Sequence, residues 1–150
     1  MIDELTNENY EMFCMAIIVK AIKDYKSSTK KVHKIRKKKK TMIELLGDEY
    51  EMLYLDPVVY KEKHRAEKKL FDNDDEFEKK VAKENKMRTR WGRLENEEVE
   101  HLRMISECRS FFLSPWCDFL CGINNDKKGS DIIKRLDAEL VSKGFEIINE

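Results

Sequence analysis

Cys117 and Cys121 stand four residues apart, a spacing that puts both thiols on one face of a helix. Cys108 and His101 lie upstream, seven residues apart. Thiolate and imidazole are zinc ligands, so the set invites a metal reading. Structural zinc usually shows two tight ligand pairs separated by a turn, and here there is one loose pair with two distant partners. The competing reading is that small cysteines fill a core around Trp116 and Phe119. A nucleophilic cysteine would need a base and an electropositive pocket. His33, His64 and His101 are each embedded in charged helical sequence, none in a glycine-rich turn that could form an oxyanion hole. Nucleophile-elbow, phosphate-loop and dinucleotide fingerprints are missing. The carboxylates of ENEEVE (95–100) recur at helix-surface spacing. The sequence therefore points away from an enzyme, and neither a cofactor nor a metal is expected.

The second constellation is electrostatic. STKKVHKIRKKKK spans residues 28–40, and eight of the eleven positions from Lys30 to Lys40 are Lys or Arg. The chain as a whole has 30 basic and 30 acidic residues and is formally neutral. Neutrality hides segregation. Lys20 to Lys40 holds eleven bases against Asp24, whereas Glu44 to Asp56 and Asp72 to Glu78 each hold five acids and no base. Residues 79–93 return to seven bases against Glu84. MRTRWGR (87–93) adds Trp91, which could stack on a base or a guanidinium. Lys30, Lys31, Lys34, Arg36, Lys37, Lys38, Lys39 and Lys40, with Arg88, Arg90, Trp91 and Arg93, are the candidate interaction residues. Such a set suits phosphate contacts or an acidic protein face. Against it stands the plain reading of a solvated helix exterior around a buried Trp91. No helix-turn-helix, zinc-finger or RNA-binding signature is legible.

The elements that must position these residues are helical. Charged residues make up 40% of the 150, and five Gly and two Pro are too few for a turn-rich β protein. Residues 7–46 read as one long helix or two consecutive ones, with Asn7 as cap and Gly47 at the C-terminal cap. Its seam runs Ile18, Ala21, Tyr25, Ser28, Val32, Ile35, Lys39, Met42, Leu46 at alternating spacings of three and four. The Ser-Ser-Thr at 27–29 marks a kink or loop. Residues 50–55 have the option of a short strand. Asp56-Pro57 opens a helix to about 71. Asp74 or Asp75 caps another long helix to about 113, with Gly92 as a candidate kink. Ser114 caps a helix with Pro115 in its first turn, and Trp116, Phe119 and Leu120 should point inward. NNDKKGSD (124–131) reads as a loop, Ser130 as the cap of a last helix over 132–143 stopped by Gly144, and Phe145, Ile147 and Ile148 as packing residues of a tail. The expectation is an all-α single domain of about five helices. Two of the helices are long and antiparallel and lie in a long-helix part, 1–113, and a small C-terminal helical subdomain spans 114–150.

Two segments resemble small uncharacterised accessory proteins of phages and prophages of Gram-positive bacteria. They are AIKDY (21–25) and ECRSFFLSPWCDFL with SDIIKRLDAEL (107–140). Those proteins show an AI-x-DY stretch, then C-x-x-FF-x-S-x-W-x-x-x-L, a compact acidic loop and II-x-x-L. Cys108, Phe111, Phe112, Ser114, Trp116, Leu120, Ile132, Ile133 and Leu136 sit on that pattern, while the loop and residues 26–106 depart from it. The resemblance spans under a third of the chain and brings no catalytic residue. It implies a phage accessory protein at work in a bacterial cytoplasm. The acidic, polar start and the lack of any apolar run near ~20 residues agree with no membrane partner.

The function expected is a non-catalytic accessory protein of a phage or mobile element. It would inhibit or redirect host machinery by binding a protein or nucleoprotein target, for example a CRISPR effector. The alternative is a DNA- or RNA-binding regulator using 30–40 and 86–93. A homodimer through the 18–46 seam is a further expectation.

Overall fold

The computed structural model describes residues 2–122 and 128–149. Among the described residues every regular element is helical. Helix α1 spans Ile2–Leu46, a 3-10 helix Gly47–Leu53, α2 Pro57–Lys68, α3 Asp74–Phe112, α4 Pro115–Gly122 and α5 Gly129–Ser142. The fold is all-α, as the composition demands. The chain divides into two compact units, one of residues 1–34 with 98–150 and the other of 35–97. Helices α4 and α5 thus belong with the first part of α1 and the last part of α3.

Local chemistry explains most of the boundaries. Gly47 closes α1 at φ 57°, a conformation that costs an L side chain but not glycine. The Asp56 carboxylate accepts from the Val58 N–H at 3.2 Å, with Pro57 at the first position of α2. The Ser114 hydroxyl accepts from the Cys117 N–H at 3.2 Å and starts α4. At the end of α5, Gly144 adopts φ 89°, the Phe145 N–H donates to Leu140 O at 2.9 Å and the Gly144 N–H to Val141 O at 3.0 Å. These two bonds are the Schellman arrangement, and Phe145 packs against the core to which Leu140 belongs.

Several local expectations are corrected. Asn7 lies inside α1, not at its start. Residues 27–29 are unbroken helix, because Ser28 and Thr29 are buried and the Ser28 hydroxyl lies 3.3 Å from His101 Nδ1. The Ser28 hydroxyl has this packed neighbour and need not compete for the backbone, whereas the buried Thr29 hydroxyl has no hydrogen-bond partner. Gly92 leaves α3 continuous. Residues 50–55 form 3-10 helix and turn in place of a strand. Helix α2 stops at Lys68. The cap of α3 is Asn73, whose Oδ1 accepts from the Asp75 N–H at 3.0 Å. Ser130 lies within α5, which starts after Lys128, whose N–H donates to the Asp131 carboxylate. Residues 129–131 of the expected loop are therefore helix, and 124–127 fall outside the described residues. Trp116 and Phe119 face outward, and Cys117 takes the inward place beside Leu120. In the tail, Ile148 is buried and Phe145 half-buried, while Ile147 is exposed.

In the first unit, Tyr25, Val32, Ile105, Cys108, Phe112, Cys117, Ile133, Leu136, Leu140 and Ile148 form one core. Tyr25 meets Arg109 and Phe112, and Ser28 meets His101, so rising numbers on α1 meet falling numbers on α3. The helices are antiparallel. In the second unit Ile35 and Met42 pack with Met52, Leu53, Trp91 and Leu94. Every apolar member of the expected seam is buried or half-buried by the chain's own helices, which leaves that seam closed to a dimer partner.

Helix α5 starts in contact with the end of α3. A Cβ on Gly129 would lie 2.0 Å from the carbonyl oxygen of Phe112 and 2.7 Å from Cys117 Sγ. A backbone oxygen cannot rotate away, so the helix itself must retreat. Its N–H also donates to the Asp118 carboxylate at 2.9 Å, which ties α5 to α4. Gly129→Ala is expected to destabilise the protein by about 3 kcal/mol, the upper range of overpacking, read as a lower urea midpoint at unchanged slope.

Candidate interaction surface

The candidate residues divide by the helical period. On α1 the buried row Val32, Ile35, Met42 fixes the inward direction. Lys30, Lys31 and Lys34 in the first unit, and Lys37, Lys38 and Lys40 in the second, are exposed. Among the described residues none of these six makes an ion pair. Elsewhere bases and acids meet: Lys26 with Glu139 at 2.9 Å, Lys80 with Glu67 at 3.4 Å, Arg109 with Asp137 at 3.1 Å. Lys30 lies over the Phe145 ring at 5.9 Å, and Arg36 is half-buried and partnered.

Three of the candidates are committed to the second unit's own packing. Trp91 is only 3% exposed. Its indole meets Tyr54 edge-on at 5.2 Å, donates to Glu95 at 2.8 Å and carries the Lys39 ammonium at 4.7 Å. That cation–π contact explains why a lysine occupies the seam. Arg88 donates to the carbonyls of Met52 and Leu55, at 2.5 and 2.8 Å, and stacks on Tyr60 at 3.9 Å. It therefore fastens the 3-10 segment and α2 to α3. Trp91 cannot stack on a base without leaving the core, and Arg88 and Lys39 are already occupied.

What remains in the second unit is Lys37, Lys38, Lys40, Arg90 and Arg93, all exposed. Arg90 stands about 160° round α3 from Arg88, whose side chain reaches the 3-10 segment, so Arg90 points away from that segment. Arg90 and Arg93 also line a shallow depression with Asn85, Lys86 and Thr89. The result is a cationic surface on a rigid helical support.

The reactive groups sit differently. Burial, then the nearby Asp24 and Glu107 charges, push the Cys108 thiol up to about 11. Burial, then Cys121, push Cys117 up to about 12. Both are protonated at neutral pH, the opposite of an activated nucleophile. Among the described residues no three His, Cys, Asp or Glu side chains converge as a metal site. Each histidine has a structural partner: His33 with the Glu146 carbonyl at 2.7 Å, His64 with Glu84 at 3.0 Å, His101 with Ser28. Among the described residues no helix is long and apolar enough to cross a membrane.

The sequence reading missed a network across the first unit. The Tyr25 hydroxyl donates to the Asp137 carboxylate, and Arg109 donates to the Tyr25 oxygen at 2.8 Å and to Asp137 at 3.1 Å. Tyr25 appeared in the seam, but nothing in its local sequence announces partners 84 and 112 residues away. Compared with known protein families, curated proteins and solved structures, the chain matches none.

Proposed function

We propose that this chain is a non-catalytic accessory protein of a phage or mobile element that inhibits or redirects host machinery by binding. Its target is a protein or nucleoprotein with an anionic surface, a CRISPR effector being the most concrete case. The observation that carries the reading is the exposed lysine row of α1, with no acidic partner among the described residues in a chain of zero net charge. Unneutralised charge on a rigid helix steers association and selects an oppositely charged partner. The phage context comes from the resemblance of residues 21–25 and 107–140.

The test variant is Lys37→Glu/Lys38→Glu/Lys40→Glu, which spares Lys39 because that side chain covers Trp91. The wild-type protein should capture a nucleoprotein from a nuclease-free bacterial lysate, and the triple variant should not. Added to an effector cleavage assay, wild-type protein should suppress cleavage and the variant should not. Capture or suppression that survives the charge reversal would sink the reading.

The same lysines favour a second reading, direct binding of DNA or RNA by a regulator. That reading requires tight binding to naked nucleic acid with steep salt dependence. Removal of three phosphate contacts would lower the slope of log K against log salt by about 2–3. Absence of naked binding at physiological salt leaves the nucleoprotein or protein target.

A further inference from the structure

We infer that residues 10–19 of α1 form a two-fold, antiparallel interface with a second copy of this chain. From Met12 to Val19 the sequence reads MFCMAIIV, with no charge between Glu11 and Lys20. A helix that is apolar on every face belongs in a buried setting. Yet the chain itself covers one face. Cys14 and Ile18 pack with Leu120 of α4, and Ile17 lies beside them. Met12 is 71% exposed, Phe13 61%, Met15 59% and Val19 39%.

The exposed residues form a stripe. Met12, Met15, Ala16 and Val19 recur at i, i+3, i+4 and i+7, which places them on one side of the helix, away from Cys14 and Ile18. That is the spacing of a helix–helix contact. The stripe is also self-complementary. An antiparallel copy turned about the midpoint between Met15 and Ala16 sets Met15 against Ala16 and Met12 against Val19. Each large side chain then meets a smaller one, the pattern that lets packed helices interdigitate. The same turn brings the Glu11 end of one copy level with the Lys20 end of the other. A parallel pairing would set like charges at both ends.

The size fits a weak form of this occupant. With about 200 Å² for a fully exposed large apolar side chain, Met12, Met15 and Val19 leave roughly 340 Å² of apolar surface on the stripe. Interfaces are about 60% apolar, so with its polar rim the contact covers about 600 Å² per partner, the size of a weak or transient pairing. This surface lies in the first unit and goes beyond the lysine reading. It also replaces the 18–46 seam as the place where two copies meet.

The test is the mass of the full chain by light scattering coupled to gel filtration, at about 100 µM because interfaces of this size can be only micromolar. Wild-type protein should run at twice the 17.9 kDa chain mass. Met15→Glu/Val19→Glu should run as a single chain with an unchanged helical circular dichroism signal, since both sites are exposed. Trp116→Ala/Phe119→Ala, which strips the exposed stacked pair of α4, should remain double. A single-chain mass for wild type overturns the inference, whether or not the protein then binds phosphatidylcholine–phosphatidylglycerol vesicles. So does a Met15→Glu/Val19→Glu protein that stays double, or an α4 variant that alone becomes single.

Discussion

Asp137→Ala should lower the stability of the folded chain by about 3 kcal/mol, the low end of the cost of leaving one member of a buried ion pair without its partner, because this pair is only partly buried. Asp137 holds both the Tyr25 hydroxyl and the Arg109 guanidinium. The Arg109 and Asp137 side chains are 23% and 14% exposed, so water offers the survivors little compensation. The network joins α1, α3 and α5 around the largest core of the first unit, and its loss should lower the urea midpoint as one cooperative step. Asp137→Asn keeps an acceptor for Tyr25 but not the charge, and should fall between wild type and alanine. A midpoint unchanged in Asp137→Ala would show that the three groups are solvated or unlinked. The same network sets a pH limit. Burial first, then the hydrogen bond to Asp137 and its charge, push Tyr25 from 10.0 up to about 12, with Arg109 opposing. A raised folded-state pKa means that the folded chain holds a proton that the unfolded chain has lost. The stabilisation is therefore fully present below about 10 and disappears as pH rises through about 12. Tyr25→Phe should flatten that alkaline loss.

Trp91→Ala should cost a further large amount, about 3–5 kcal/mol, as for other buried Trp or Phe truncations. The indole fills the second unit's core between Tyr54, Leu94 and the Lys39 ammonium. The lesion should therefore weaken the packing of the 3-10 segment and the later turns of α1. The discriminating readout is fluorescence in a Trp116→Phe background, where Trp91 is the sole tryptophan. Titration with single-stranded DNA or RNA should leave its emission unchanged even if the lysines bind phosphate. Quenching that saturates with nucleic acid would mean that Trp91 leaves the core to stack, contrary to its packing here.

Much of this fold was legible from periodicity. The three-four spacing from Ile18 to Leu46 marked the buried row of α1 residue by residue, including Ser28 and half-buried Lys39. Asp56, Pro57, Ser114, Pro115, Gly47 and Gly144 all act where their backbone chemistry suggested. Errors cluster where local propensity met a partner far along the chain. Ser28 and Thr29 read as a break, but both are buried in continuous helix, where His101 meets the Ser28 hydroxyl and the Thr29 hydroxyl is left without a hydrogen-bond partner. Trp116 and Phe119 read as core by hydrophobicity alone, yet α4 turns Cys117 and Leu120 inward and leaves the two rings stacked outside. An eight-residue helix has too few turns for composition to say which face will be covered.

The candidate surface followed the same rule. Lysine density located the cationic helix face, because charge prefers water and the apolar positions fixed which way α1 turns. Density could not separate Lys37, Lys38 and Lys40, which face solvent, from Lys39, whose ammonium lies on an indole 52 residues ahead in the chain. Arg88 and Arg90 differ by two positions and so by more than half a turn. One became a clasp for the 3-10 segment and the other stayed in solvent. The sequence by itself determined the helices, the caps at Asp56, Ser114, Gly47 and Gly144, the inward row of α1 and the segregation of charge, since these depend on neighbours within a few residues. Only the tertiary structure decided which cations are spent on packing, that Tyr25, Arg109 and Asp137 meet, and that Met12, Met15 and Val19 are left uncovered. Those outcomes depend on which surfaces distant segments bring together, and no local pattern encodes that.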